Sequence, residues 1–217
     1  MVTDIKQPES PQTGFCWGSL AEAVDREIIV LAVPFQNLEE LLKQISSALR
    51  PGALIVDVCS VKQEPVNLML QYLPSGVEIL ATHPLFGPQS AKDGLNGHKI
   101  VLCPVRISEK RVNIVHNLLR RGFRLHPIVK EPAEHDREMA RVQGLTHFIA
   151  RAMSELGVGD SELATKAYEH LMEATRLLGS DSWELFETIE NGNPFAAGMR
   201  QKLMAKLEEL EERLNRG

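Results

Sequence analysis

No stretch of the 217-residue sequence approaches the ~20 consecutive apolar residues a membrane-spanning helix needs, so no helical anchor is expected. Positive charge is in short supply: 24 Lys and Arg stand against 29 Asp and Glu, a formal net charge of −5. Gripping phosphate backbones takes a basic face, so nucleic acid is not an expected partner. Cysteine is scarce too. Cys16, Cys59 and Cys103 are odd in number and lack metal-type spacing, which excludes a disulfide framework and fits a reducing compartment. His135 and Asp136 are adjacent and the other histidines lie far along the chain, so no metal ligand set is suggested. The first residues lack the basic-then-apolar pattern of a secretory signal, and the cytoplasm is the expected location. Small molecules and a second copy of the chain are the partners left.

What is present begins with a polar, proline-bearing segment, residues 1–14, expected to be loosely ordered. Three short apolar runs follow: Ile28 to Val33, Ala53 to Val58 and Val77 to Ala81. The first two are nearly continuous and rich in branched residues, as strands covered on both faces are. Between them Leu38, Leu41, Leu42, Ile45 and Leu49 recur at helical spacing until Pro51-Gly52, and a second helix is expected from Glu64 to Leu73. Strand–helix–strand–helix–strand predicts parallel pairing with right-handed crossovers. Further strands are expected at Lys99 to Cys103 and Phe123 to His126, flanking a helix over Glu109 to Arg121. From Glu131 the pattern becomes helical, with one long helix to about Leu156, a stop at Gly157-Val158-Gly159-Asp160, and two or three more helices. The last carries Leu203, Leu207, Leu210 and Leu214 on one stripe, either a core face or a surface for self-association. The expected division is 1–14, an α/β part over 15–130 and a helical part over 131–217.

Ligands of open α/β sheets gather at the carboxyl ends of the strands. Those ends read Val33-Pro34-Phe35-Gln36, DVCSVK (57–62) and THPLFGP (82–88), on successive strands that the fold places side by side. Ser60 and His83 could then approach each other, giving a general base that works near neutral pH. Equally open is a bland reading in which Ser60 caps the following helix, with Gln63 and Glu64 three and four residues on, and His83 merely ends a strand. A Ser–His–acid nucleophile is disfavoured, because no G-x-S-x-G elbow surrounds Ser60.

The segments DVCSVK (57–62), THPLFGPQSAKDGLNG (82–97), EHD (134–136) and KAYEHLMEATRLLGSDSWELF (166–186) together resemble the prephenate/arogenate dehydrogenase family, most nearly its plant-type arogenate branch. The resemblance runs from about Gly14 to the C-terminus. It implies an incomplete Rossmann domain, a truncated doubly wound parallel sheet, followed by an all-helical domain for substrate and dimerisation. It also implies oxidative decarboxylation of a cyclohexadienol with hydride transfer to NADP or NAD, in tyrosine biosynthesis. His83 matches the residue that accepts the ring hydroxyl proton, and Ser60 the serine that bonds it beside the nicotinamide. His135 matches a residue of the substrate pocket, and Gly87, Gln89, Ser90 and Lys92 match the segment beside the substrate. Arg176 is the candidate partner of a substrate carboxylate. Val33, Pro34, Ser60 and Lys62 are the candidate cofactor contacts. His147, twelve residues and about 18 Å of helix beyond His135, is expected to be structural.

One part of that pattern is missing. The only G-x-G is Gly157-Val158-Gly159, which follows a helix rather than a strand, and position 162 is Glu. A βαβ unit takes ~30 residues or more, and only 27 precede Ile28. The first half of the dinucleotide fold is therefore expected to be absent from this chain. That leaves three readings: an upstream half in the natural enzyme, a cradle supplied by another polypeptide or a rearranged dimer, or a non-enzymatic module that binds a ring acid such as prephenate, arogenate or tyrosine.

Overall fold

The computed structural model describes residues 1–4, 16–88, 90–179 and 181–216. Most of the 1–14 segment, and Gln89, lie outside the described residues. The chain divides into two compact units, Met1–Glu131 and Pro132–Gly217.

In the first unit a five-stranded sheet runs in the order β1 (Ile28–Leu31), β2 (Leu54–Asp57), β3 (Glu78–Pro84), β4 (Lys99–Arg106), β5 (His126–Val129). Helix α1 (Leu20–Val24) precedes β1, and its N-terminus is closed by a reciprocal capping box between Ser19 and Glu22. α2 (Phe35–Ile45) links β1 to β2, and α3 (Gln63–Tyr72) links β2 to β3. α2 forms because Leu38, Leu42 and Ile45 fall on one face, and that face is buried. Pro51-Gly52 then turns the chain into β2, with Gly52 at φ 81°, a conformation that favours glycine. α4 (Glu109–Asn117), capped by the Ser108 hydroxyl, leads through a π-turn (Leu118–Gly122) into β5.

The strand period of two sends alternate residues to opposite faces. Ile55, Ile79, Ala81, Val101 and Cys103 pack with α2 and α3 in one core, while Leu54, Leu80, Ile100 and Leu102 form a second with Leu125. β1–β2, β2–β3 and β4–β5 pair in parallel. β3–β4 does not: it is antiparallel, from Ile79↔Arg106 to Pro84↔Ile100. The first three strands pair in parallel as expected, the sheet is mostly parallel, and only the β3–β4 junction is antiparallel. Among the described residues between β3 and β4 there is no helix to cross the sheet, and a parallel return needs a crossover of a dozen or more residues, usually helical. The last strand also begins three residues later than expected, because Arg124 at φ 55° breaks the extended backbone within the residues read as strand.

The second unit holds α5 (Pro132–Met139), a π-turn (Ala140–Gly144), α6 (Leu145–Glu155), α7 (Lys166–Gly179), α8 (Trp183–Asn191) and α9 (Ala196–Asn215). The expected long helix to Leu156 is therefore one helical run interrupted by a π-turn, whose closing bond runs from the Leu145 amide to the Ala140 carbonyl.

Candidate functional site

The carboxyl ends of β2 and β3 are held together by a fully buried polar cluster. β2 ends in Asp57, paired in register with Ala81, so the Asp57 side chain meets the backbone one residue further along β3. The Thr82 amide donates to Asp57 Oδ1 (3.3 Å), and the Thr82 hydroxyl donates to the Asp57 carbonyl (2.6 Å). Asp57 Oδ2 accepts from the Cys59 amide (2.9 Å), which tightens the turn out of the strand. Lys62 closes the cluster, its ammonium donating to Asp57 Oδ2 and to the Thr82 carbonyl (2.6 Å). Asp57 and Lys62 have no exposed side-chain surface. Removing two opposite charges from water is tolerated because each finds the other and further backbone partners. The Cys59 thiol beside them is pushed up to about 12, by burial first and the Asp57 charge second.

His83 follows Thr82 directly and is buried at the end of β3, in register with Val101 of β4. Ser60 is half-buried in the loop after β2. The topology thus brings Ser60 and His83 to one sheet edge, with the Asp57–Lys62 pair between their strands. Two expectations for this edge are corrected. Ser60 is not the helix cap: α3 starts at Gln63, and Lys62 is the residue before it. Lys62 is not an open cofactor contact, because its ammonium is sealed in the cluster rather than offered at the crevice. Sequence reading missed Asp57 and Thr82. Their signal was a carboxylate ending an apolar strand, five residues before a lysine.

Around this edge lie the other candidates of the first unit. Val33 is half-buried and Pro34 exposed where β1 passes into α2, whose first turn has no side-chain cap. After β3 the chain turns at Gly87, whose amide donates to the Ser90 hydroxyl (2.9 Å). Ser90 and Lys92 are exposed. Phe86 packs against His98 with ring centroids 5.0 Å apart, fixing the base of this loop.

In the helical unit His135 is buried, its Nδ1 2.8 Å from Asp136 Oδ1. The Asp136 carbonyl accepts from the buried Asn193 amide (2.8 Å), which ties α5 to the turn between α8 and α9. Arg176 lies elsewhere on its helix: it is 58% exposed and paired with Asp160 at 2.6 Å. His147 is buried on α6 with Asp181 at 3.5 Å, and burial holds its pKa below the ordinary 6.5. Burial likewise raises the Glu190 carboxyl, although Arg200 pairs with it and opposes the shift. No cluster of three or more His, Cys, Asp or Glu side chains able to hold a metal occurs among the described residues. Nor is any described helix long and apolar enough to cross a membrane.

The strand ends match a dinucleotide only in part. The β1–α2 turn and the Ser60 loop lie at the carboxyl ends of β1 and β2, where ligands of such sheets gather. A pyrophosphate cradle needs glycine at a strand-to-helix turn. Among the described residues, glycines with positive φ are Gly52, Gly94, Gly97 and Gly157, and none occupies such a turn.

A mostly parallel sheet with its polar residues at the carboxyl edge, followed by a helical unit, defines the Rossmann-like fold class. The family model described as prephenate dehydrogenase, nucleotide-binding domain, matches residues 5–123. The chain belongs to that family. A second model, TYRAAT1-like, C-terminal domain, matches residues 152–217. Arogenate dehydrogenase 1, chloroplastic, of Arabidopsis thaliana is 33% identical over 195 residues, covering 87% of this chain and 30% of that protein. Arogenate dehydrogenase 2, chloroplastic, of the same plant is also 33% identical, covering 87% and 54%. The probable arogenate/prephenate dehydrogenase of Methanocaldococcus jannaschii is 30% identical, covering 91% and 46%. The chain thus spans from under a third to about half the length of these curated relatives. Among solved structures, Synechocystis arogenate dehydrogenase matches with a TM-score of 0.68 at 20% identity, covering 92% of this chain and 75% of that one. Aquifex aeolicus prephenate dehydrogenase gives 0.69 at 20% identity, covering 91% and 74%. The fold is theirs.

Proposed function

We propose that this chain carries the catalytic and substrate-binding part of an NAD(P)-dependent arogenate or prephenate dehydrogenase of tyrosine biosynthesis. The observation that carries the reading is His83, buried at the carboxyl end of β3 directly after the Asp57–Lys62–Thr82 cluster and on the strand beside the Ser60 loop. In it His83 accepts the proton of the substrate's ring hydroxyl, and Ser60 orients the imidazole. A bound nicotinamide dinucleotide supplies the hydride acceptor, with Val33 and Pro34 beside its ring. Gly87, Gln89, Ser90 and Lys92 form the substrate-side loop. His135, held by Asp136, contributes from the helical unit. Arg176 takes a substrate carboxylate in exchange for Asp160, and an exposed ion pair is worth about 1 kcal/mol or less, so the exchange costs little.

A homodimer is part of the reading. Leu207, Leu210 and Leu214 on α9 are 50%, 46% and 78% exposed, an apolar stripe suited to a second copy of the chain. So is a reducing location, the cytoplasm, in keeping with two buried free thiols.

The test is turnover by the purified chain with arogenate and prephenate, each with NAD and NADP, beside calorimetry of the same ligands. Turnover lost in His83→Asn by about 10²–10⁴-fold is the expected result. Ring-acid binding without binding of either dinucleotide would identify a sensing module instead. Binding of neither ligand would overturn both readings.

A further inference from the structure

The helical unit contains an open cleft of about 540 Å³, bounded by α5, the π-turn after it and the first turns of α9. That volume falls within the range of small-molecule sites, roughly 300–1,000 Å³. Its rim is basic. Arg137 and Arg141 stand one helical turn apart on the same wall, and Lys202 faces the cleft from α9. None of the three forms an ion pair with a described residue; Arg137 makes only a stacking contact, 5.0 Å over the Phe195 ring. Like charges at i and i+4 destabilise a helix. In a chain of net charge −5, three uncompensated cations around one concavity are an arrangement that an anion relieves.

The cleft is also built rather than incidental. Its base, Pro194 and Phe195, follows the buried Asn193, whose amide donates to the Asp136 carbonyl (2.8 Å) and whose side-chain oxygen accepts from the Phe195 amide (2.9 Å). The stacked Arg137 is thereby fixed in place. A second observation is independent of charge. Gly198 lies in the first turn of α9, where its backbone has no positive φ and a Cβ would meet no atom within 4 Å. Nothing in the fold requires glycine there, and glycine weakens a helix. Its effect is a bare backbone on the floor of the cleft, as where a ligand approaches closely.

We infer that this cleft binds a small organic dianion, with two acidic groups shared among Arg137, Arg141 and Lys202 and an apolar body resting on Met199 and the backbone of Gly198. His135, two residues before Arg137, is buried while Arg137 is exposed. The two side chains leave the helix in opposed directions, so the cleft is distinct from the surroundings of His135. Occupancy does not depend on the redox reading and can be measured without turnover.

The experiment is calorimetry at low salt with isophthalate, an aromatic dianion, as probe and benzoate as its monoanionic control. We expect saturable one-to-one binding of isophthalate, with benzoate about tenfold or more weaker, the loss of one charge-assisted contact. Arg141→Ala/Lys202→Ala should weaken isophthalate by at least a comparable factor. Gly198→Phe should fill the cleft and abolish binding while the thermal midpoint holds or rises, which separates blocked binding from failed folding. Isophthalate binding unchanged in Gly198→Phe, or no saturation in the wild type, would overturn the inference. So would a chain dimer that Gly198→Phe dissociates, since the cleft would then hold a second copy.

Discussion

Replacing Lys62 by Met tests whether the polar cluster at the β2 and β3 ends is coupled as its geometry indicates. Methionine is close to lysine in length, so packing is largely kept while the ammonium is removed. Asp57 would keep the Cys59 and Thr82 amides as donors but lose its counter-charge, with no exposed side-chain surface to rehydrate it. Breaking a buried pair this way costs about 3–5 kcal/mol, a large share of the roughly 5–15 kcal/mol that holds a domain together. With a urea slope near 2 kcal/mol/M, the midpoint should fall by roughly 2 M. Asp57→Asn should cost a comparable amount, because it strands the ammonium. The double variant Asp57→Asn/Lys62→Met should lose less than the sum, since no charge stays buried, although the single Asn oxygen can accept from only one of the two amides. Urea unfolding of the four proteins gives the coupling energy directly, and we expect at least about 2 kcal/mol. Additive losses, or a Lys62→Met variant within about 1 kcal/mol of wild type, would show that the ammonium is not buried against Asp57.

Other outcomes follow from single residues. His147, held below 6.5 by burial first, with Asp181 opposing and Arg151 reinforcing, binds its proton more weakly folded than unfolded. Its share of stability is therefore present above about pH 6.5 and lost as pH falls below it, at up to about 1.4 kcal/mol per pH unit; His147→Gln should flatten that slope in urea midpoints measured from pH 7 downward. Cys16 is exposed while Cys59 and Cys103 are buried, so a thiol reagent at pH 8 should titrate one group rapidly in the native chain and all three in denaturant. Ser19→Ala opens the capping box of α1 and should cost about 1 kcal/mol of stability, read in the urea midpoint.

The first three strands and the two helices between them were legible because local pattern and final burial agree. Ile55 and Leu54 fill opposite cores, which is why that run reads as continuously apolar. The sense of β4 was less legible, since it depends on what the segment before it cannot do rather than on β4 itself. Of the candidate site, His83 stood out as a histidine ending an apolar run, and it is buried there. Lys62 was misread because lysine is almost never fully buried unless paired. Its pairing depends on the turn that folds the chain back on Asp57, and on Thr82 from a strand 20 residues away. Arg176 is the less legible case: a guanidinium on a helix does not tell from sequence that it is half exposed and paired with Asp160.

The π-turn at Ala140–Gly144 makes the helical run around it sensitive to the count of its residues. An i→i+5 turn carries about one residue more than an α-turn, worth about 100° of rotation about the helix axis. Everything after Gly144 is phased by that extra residue, including His147 and Ala150, which are now turned inward. Deleting one residue within the turn would let the helix run on unbroken yet swing both toward solvent. Length in this segment is thus under tighter constraint than residue identity, and shortening should harm the chain more than most substitutions there.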